Sequence, residues 1–350
     1  MNTSAARRPP LPFPGIRAAI TSIFIVCALL ASAQYTEPLM SHYYELGSFY
    51  NPGAAGRTDL VNIRAGGRLQ WVGIDNAPVS FVGVADLPFK IGRKRLATGL
   101  AIQHESYGLY RNMTLGAMIA YKLRLFGGTL TPGVRIGLIN QSFRGSEVFI
   151  PDDNEYHSPT DDAIPTTDVG GNALDLGVGI SFDTRSFSAG LSVLHANSPT
   201  VRFSSDSSMS GSRDGDDSSA SDPGVKNYEF PVSSTLYFTA AGNIPIKNTL
   251  FEVIPSILIV SDFNDATGIV TARLRYSKRF SFGAGYRYRD GVSINLGLEL
   301  KNFYIGYTYE YPLSSLNRAS SGSHELLAGY SIKLNFNEKN KHKHKSIRIL

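Results

Sequence analysis

The chain has one cysteine, Cys27, one tryptophan, Trp71, and no uninterrupted apolar run of about 18 residues. Each shortage excludes something. One cysteine forbids an intramolecular disulfide framework and the paired CxxC motifs of zinc and redox sites. A helical membrane protein needs spans of about 20 apolar residues, so a polytopic helical fold is excluded, whereas a membrane barrel is not, because alternating strands hide from hydropathy averages. Charge is also scarce: 18% of residues are Asp, Glu, Lys or Arg, below the roughly 25% of soluble domains. At 42% hydrophobic the chain is nonetheless too apolar to stay disordered. Glycine is abundant, 34 of 350 residues, as are Tyr at 18 and Phe at 19. That composition leans towards β structure.

Residues 1–33 read as a secretory leader. Arg7, Arg8 and Arg17 form a positive region, Ala18 to Leu30 an apolar one, and Ala31-Ser32-Ala33 a small-residue cleavage pattern that starts the mature chain at Gln34. A membrane anchor is disfavoured because the apolar stretch is short, and a lipoprotein because Phe24-Ile25-Val26 ahead of Cys27 are not small. Cleavage removes Cys27 and three arginines, taking the net charge from +5 to +2. Lys339, Lys341, Lys343, Lys345 and Arg348 then concentrate positive charge in the tail, which leaves the body slightly acidic. No nucleic-acid-binding face is supported.

The clearest pattern lies between Ile269 and Phe336. Val270, Ala272, Leu274 and Tyr276 alternate with Thr271, Arg273 and Arg275, and Phe280, Phe282, Ala284 and Tyr286 alternate with Ser281, Gly283, Gly285 and Arg287. Period two marks strands with one apolar face. Val292 to Leu298, Ile305 to Tyr309 and Leu326 to Phe336 continue it, with aromatics near the ends, as strands that cross a bilayer at a tilt do. The same template upstream gives about fourteen strands, the first near Leu60 to Val72, with Pro255 inside one as an exception that suggests a bulge or a misplaced boundary. Even-numbered connections are short, whereas Arg144 to Gly171 and Ser198 to Val232 are long and polar. Short periplasmic turns and long external loops are the mark of an outer-membrane barrel, and a secreted β protein gives no reason for the alternation. The expected architecture is therefore all-β: a transmembrane antiparallel up-and-down barrel in outer-membrane lipid. Residues 34–58 form a periplasmic lead-in, 59–336 the barrel and 337–350 a basic periplasmic tail, able to bind an acidic partner or dispensable.

Arg273, Arg275, Arg287, Arg289, Glu299, Glu310, Glu325 and Lys333 are expected to face the lumen, as a network that stiffens the barrel or lines a pore, or simply as groups that solvate the interior. His104-Glu105-Ser106 and Ser323-His324-Glu325 contain hydrolase residue types, but a triad is defined by spatial geometry that sequence adjacency does not supply. The clusters Asp152-Asp153, Asp161-Asp162 and Asp214 to Asp217 lack calcium-loop spacing. No phosphate loop or HExxH motif is present, and no catalytic, cofactor or metal site is assigned.

Four stretches carry a family resemblance. Gln34-Tyr35-Thr36-Glu37-Pro38, Phe49-Tyr50-Asn51-Pro52-Gly53-Ala54-Ala55-Gly56 and the run Arg68-Leu69-Gln70-Trp71-Val72-Gly73-Ile74-Asp75-Asn76-Ala77-Pro78 resemble the opening of the PorP/SprF family of Bacteroidetes outer-membrane proteins, and Ser323-His324-Glu325 resembles its close. Gly53 stands where that family usually has alanine, and the acidic stretches look like additions. The resemblance implies a non-enzymatic outer-membrane component of type IX secretion, and of gliding machinery in motile members. It further implies association with periplasmic partners, including an OmpA-like peptidoglycan-binding protein, and with secreted cargo. Read physically, Asn51-Pro52-Gly53 turns the chain from the periplasm into the first strand, Trp71 sits near a membrane interface and Asn76-Ala77-Pro78 turns the first hairpin. A porin or hydrophobic-substrate transporter is the alternative, and a barrel hydrolase using His104 or His324 a third.

Overall fold

The computed structural model describes residues 37–148, 165, 167–203 and 228–333. The leader, the three acidic clusters and the basic tail lie outside the described residues. Fourteen strands form the wall: β1 (Leu60–Leu69), β2 (Val79–Ile91), β3 (Lys94–Tyr107), β4 (Tyr110–Tyr121), β5 (Gly128–Arg144), β6 (Asp168–Asp183) and β7 (Phe187–Leu194), then β8 (Thr235–Gly242), β9 (Phe251–Ser261), β10 (Ala266–Tyr276), β11 (Phe280–Arg287), β12 (Gly291–Leu300), β13 (Phe303–Pro312) and β14 (Ser323–Lys333). Each pairs antiparallel with the next. The last closes on the first, with Leu60 opposite Lys333 and Leu69 opposite His324. Closure leaves the sheet without a first and last free edge, which a lipid environment demands because no water is there to pair exposed N–H and C=O groups.

Period-two alternation sorts the side chains. Leu100, Ile136, Leu138, Ile294, Ile305 and Leu326 are each more than half exposed on the outer face, an apolar band that water would not tolerate and lipid covers. Arg68, Arg135, Asn295, Thr308 and Glu325 are buried on the inner face. The fourteen strands and the short-turn alternation agree with the sequence reading, with local differences. β1 stops at Leu69 instead of Val72 because Trp71 and Gly73 take positive φ values of 50° and 103°. Pro255 sits inside β9 and pairs with Ala272 of β10, where its other edge passes from Ala241 of β8 to the short strand Ile244–Pro245, so its missing N–H falls in a break.

The interior departs most from expectation. The sequence reading hangs residues 34–58 in the periplasm; in the structure Glu37 to Gly56 runs through the barrel as a strap. Met40, Tyr43, Leu46, Phe49, Tyr50 and Ala55 form one core with wall residues of nine strands, including Val82, Met118, Tyr237, Leu258, Tyr304 and Leu327. The strap begins at the long-loop mouth, where Glu37, Pro38 and Leu39 share a cavity with Trp71 and Tyr288. It ends at the short-turn end, where Lys122 donates to the Gly56 carbonyl and Arg57 pairs with Asp183 at 2.9 Å. The connection after β7 adds a second filler, a hairpin of Thr200–Phe203 and Tyr228–Pro231 whose Val201 and Phe203 pack on Ile139 and Val169 of the inner wall.

Inward glycines make room for the strap. A Cβ on Gly133 would lie 2.6 Å from the Pro52 carbonyl, one on Gly179 2.2 Å from Asn51 Oδ1, and one on Gly190 2.6 Å from Asn51 Nδ2. Gly53 needs its own bareness too, since a Cβ there would lie 2.5 Å from the Thr131 carbonyl oxygen. Gly179→Ala is accordingly expected to displace Asn51 and lower stability by about 1–3 kcal/mol, the usual effect of overpacking, read as an earlier urea midpoint in the heat-modifiable gel shift of the folded barrel. An unchanged midpoint would mean that the strap does not bear on this wall.

Candidate functional site

The strap is held by two clusters of buried charge. In the first, Glu325 on β14 accepts the Ser41 N–H at 2.7 Å and the His42 N–H at 2.9 Å, and contacts His42 Nδ1 at 2.8 Å. Beside it Arg68 on β1 donates to Glu310 on β13 at 2.5 Å, and Arg287 on β11 donates to the same carboxylate at 3.0 Å and to the Leu39 carbonyl at 3.0 Å. Ser41 Oγ joins the two halves, donating to Glu310 at 3.3 Å. One strap residue is thus ligated by side chains from four strands.

The second cluster is set by Glu37. Its carboxylate lies 3.3 Å from Arg135 of β5 and 2.7 Å from His195 Nε2, and it accepts the Tyr237 hydroxyl of β8 at 2.7 Å. His195 Nδ1 lies 2.8 Å from Asp175 of β6, and Arg135 donates to Asp175 at 3.0 Å. His195 therefore sits between two carboxylates just past the end of β7. Burial opposes its charging, but Glu37 and Asp175 overcome that and raise its pKa to about 9. Burial likewise works against an ionised Glu37, yet His195 and Arg135 hold its carboxyl below the ordinary 4.5.

The expected lumen network divides. Arg287, Glu310 and Glu325 come together, with Arg68 and His42 added. Arg273 instead lies with its guanidinium 3.3 Å from the Tyr44 ring centroid and 3.7 Å from Glu45 of the strap. Arg275 pairs with Glu252 on the neighbouring strand. Glu299 is exposed near the short-turn end, as is Lys333, and Arg289 falls beyond β11 in a turn at φ 61°, 5.1 Å from the Tyr288 ring. Arg135, Asp175 and His195 escaped sequence reading because they sit on three separate segments that no local pattern relates.

The family-type motifs take two places. Asn51 and Pro52 do not turn the chain into β1: they start a helical turn, Pro52–Ala54, with Asn51 Oδ1 accepting the Gly53 N–H at 2.8 Å and Asn51 Nδ2 donating to the Ile180 carbonyl at 3.0 Å. Gly56, at φ 59°, donates to Asp86 at 2.8 Å. Gln70 to Pro78 closes the first connection through Gln70 N–H to the Pro78 carbonyl at 3.0 Å, and Val72 and Ser321 tie it to the connection before β14. Ala77 donates to the Ile74 carbonyl at 3.4 Å, and Gly73 takes the positive φ that lets the turn bend. Trp71 lines the inner side of the mouth instead of a lipid interface. Strand alternation splits both His-Glu pairs: Glu105 and Glu325 point inward, while His104 is exposed on the outer face and His324 lies outside against the Tyr307 hydroxyl at 2.8 Å. Neither pair converges on one site.

Two outcomes follow. Glu310→Gln leaves Arg68 and Arg287 without their shared countercharge and is expected to lower stability by about 3–5 kcal/mol, measured by equilibrium unfolding in detergent; a change under 1 kcal/mol would show that the charges are not mutually dependent. The strap anchor also titrates. The His195 contribution is complete below pH 6.5 and fades as pH rises through about 9, and that of Glu37 is complete above pH 4.5 and fades below it. Acrylamide quenching of Trp71, the sole tryptophan, is expected to stay low between these limits and rise on either side. In His195→Gln the alkaline rise should vanish; its persistence would exclude this anchor as the cause.

Comparison with known proteins places these features. The fold is similar to the Ralstonia pickettii toluene transporter TbuX, at 10% identity and TM-score 0.48 over 87% of this chain and 96% of that one. It is also similar to the Pseudomonas putida toluene transporter TodX, at 11% identity and TM-score 0.44 over 87% and 96%, and to the translocator domain of autotransporter NalP from Neisseria meningitidis, at 10% and 0.41 over 84% and 95%. No curated protein matches the sequence. The family model described as type IX secretion system membrane protein PorP/SprF matches residues 32–330, which takes in the strap, the motif connection and nearly all of β14. The chain belongs to the PorP/SprF family of type IX secretion system membrane proteins, and its barrel is an outer-membrane one.

Proposed function

We propose that this protein serves type IX secretion as a closed outer-membrane component that holds periplasmic partners and secreted cargo, and is not itself the conduit. The observation that carries this is the occupied lumen: the strap core touches nine of the fourteen strands, and both charged clusters lock it there. A conduit for a protein would need that space empty. The porin and hydrophobic-substrate alternatives need a continuous path as well, and the strap and the hairpin after β7 occupy it. The mature chain begins after the leader at Gln34, three residues ahead of Glu37, which is consistent with a strap threaded before the barrel closes. An OmpA-like peptidoglycan-binding protein is the periplasmic partner expected of this reading, and in motile cells the same component serves gliding. Nothing in the reading requires catalysis.

Affinity purification from gently solubilised outer membranes, with mass spectrometry of what accompanies the barrel, tests the assignment. Recovery of type IX components or a large exported protein is expected; a barrel without companions that conducts ions in planar bilayers would favour the porin instead. Intact protein is expected to show no steady conductance, and a variant lacking residues 37–57 to conduct.

A further inference from the structure

The six short connections share a charge pattern that the secretion role does not use. Together residues 92–93, 122–127, 184–186, 243–250, 277–279 and 301–302 contain eight Lys and Arg and no Asp or Glu. Every one has at least one base. Lys122 is occupied by the Gly56 carbonyl, but Arg93, Arg124, Arg185 and Lys247 are exposed, as are Lys278, Arg279 and Lys301, and among the described residues none of these seven forms an ion pair. The opposite end differs: among the described residues of its connections, Asp75, Glu147, Glu229, Asp262, Asp265 and Asp290 outnumber Arg202, Arg289 and Arg318. A charge excess restricted to one end, repeated in every turn, is not explained by solubility, which either sign supplies equally.

Each base also has an exposed apolar neighbour. Ile91 lies beside Arg93, Phe126 two residues from Arg124, Phe187 two from Arg185, and Ile246 next to Lys247. Phe280 follows Arg279 and Leu300 precedes Lys301. Phe126 is 93% exposed at the tip of its turn. An aromatic belt runs just inside these turns, with Phe251 against Tyr276 at 4.9 Å and Phe303 against Tyr330 at 4.5 Å between ring centroids. Aromatic rings at this level mark the boundary between acyl chains and headgroups.

We propose that the short-turn end is a basic girdle that binds the anionic phospholipid headgroups of the leaflet on that side, each apolar neighbour seated among acyl chains while its Lys or Arg reaches a phosphate. Attraction of bases to an anionic membrane surface acts within a Debye length, and these side chains lie at that surface. The distribution favours lipid over a protein: a docked protein covers one arc, whereas these bases recur in all six turns and each is coupled to a residue that faces the bilayer. The lipid contact is separate from the secretion role, and loss of either leaves the other intact.

Native mass spectrometry of the delipidated full chain, with phosphatidylglycerol or phosphatidylcholine of the same acyl chains added, reads the preference directly. Wild type is expected to retain phosphatidylglycerol about tenfold more strongly, with the preference falling as salt rises. A variant with R93Q, R124Q, R185Q, K247Q, K278Q and K301Q, its fold verified by heat-modifiable migration, is expected to bind the two lipids equally. A control with R144Q, R202Q and R318Q at the other end is expected to keep the wild-type preference, and variants neutralising three turns at a time to lose part of it. Equal retention of the two lipids by wild type, an unchanged preference in the six-site variant, or displacement of the lipid by soluble poly-glutamate at matched charge would overturn the proposal.

Discussion

A fourteen-stranded barrel is too wide for the side chains of its own wall to fill, and that constraint governs the rest of this structure. Eight strands enclose a space that side chains can pack; fourteen leave a lumen that must either hold water or receive another part of the chain. Here the N-terminal segment enters and supplies a core like that of a globular domain, with Phe49, Tyr50 and Tyr237 at its centre. The glycine content follows from it, since Gly133, Gly179 and Gly190 give the wall the depth the strap needs.

Filling a lumen with polypeptide brings backbone groups out of water, and the buried charges answer that need. Glu325 satisfies two strap N–H groups, Arg287 satisfies the Leu39 carbonyl, and Asp86 satisfies the Gly56 N–H. A charge in this interior requires a countercharge, because an unpaired ion there is far more costly than the pair is favourable. Arg68 faces both Glu325 and Glu310, Glu310 also takes Arg287, and Arg135 faces both Glu37 and Asp175, so both clusters consist of shared rather than single pairs. The result is a barrel whose inside is specified as tightly as its outside, suited to holding a fixed shape for partners and unsuited to passing them.

The two ends of the barrel differ in chemistry as well as in loop length. The long-loop mouth keeps a cavity of about 660 Å³ beside the strap, bordered by Trp71, Tyr107 and Tyr288. The short-turn end is basic and apolar in close alternation. A barrel in an asymmetric membrane meets different surfaces at its two rims, and this chain has divided its charge accordingly.

Strand number, strand order and the outward face were legible in the sequence because period-two alternation and turn composition are local properties, strongest between Ile269 and Phe336, where every strand from β10 to β14 was anticipated. The inward direction of Glu310 and Glu325 was legible for the same reason. Their partners were not. Glu325 meets His42 across 283 residues and Glu37 meets Tyr237 across 200, and no periodicity relates positions so distant. The segment 37–56 alternates with neither period and looked like a lead-in; only closure of the sheet, which creates a lumen of given width and charge, decides that it belongs inside. The sequence by itself determined the wall, whose geometry repeats every two residues, and the tertiary structure alone decided what the wall encloses.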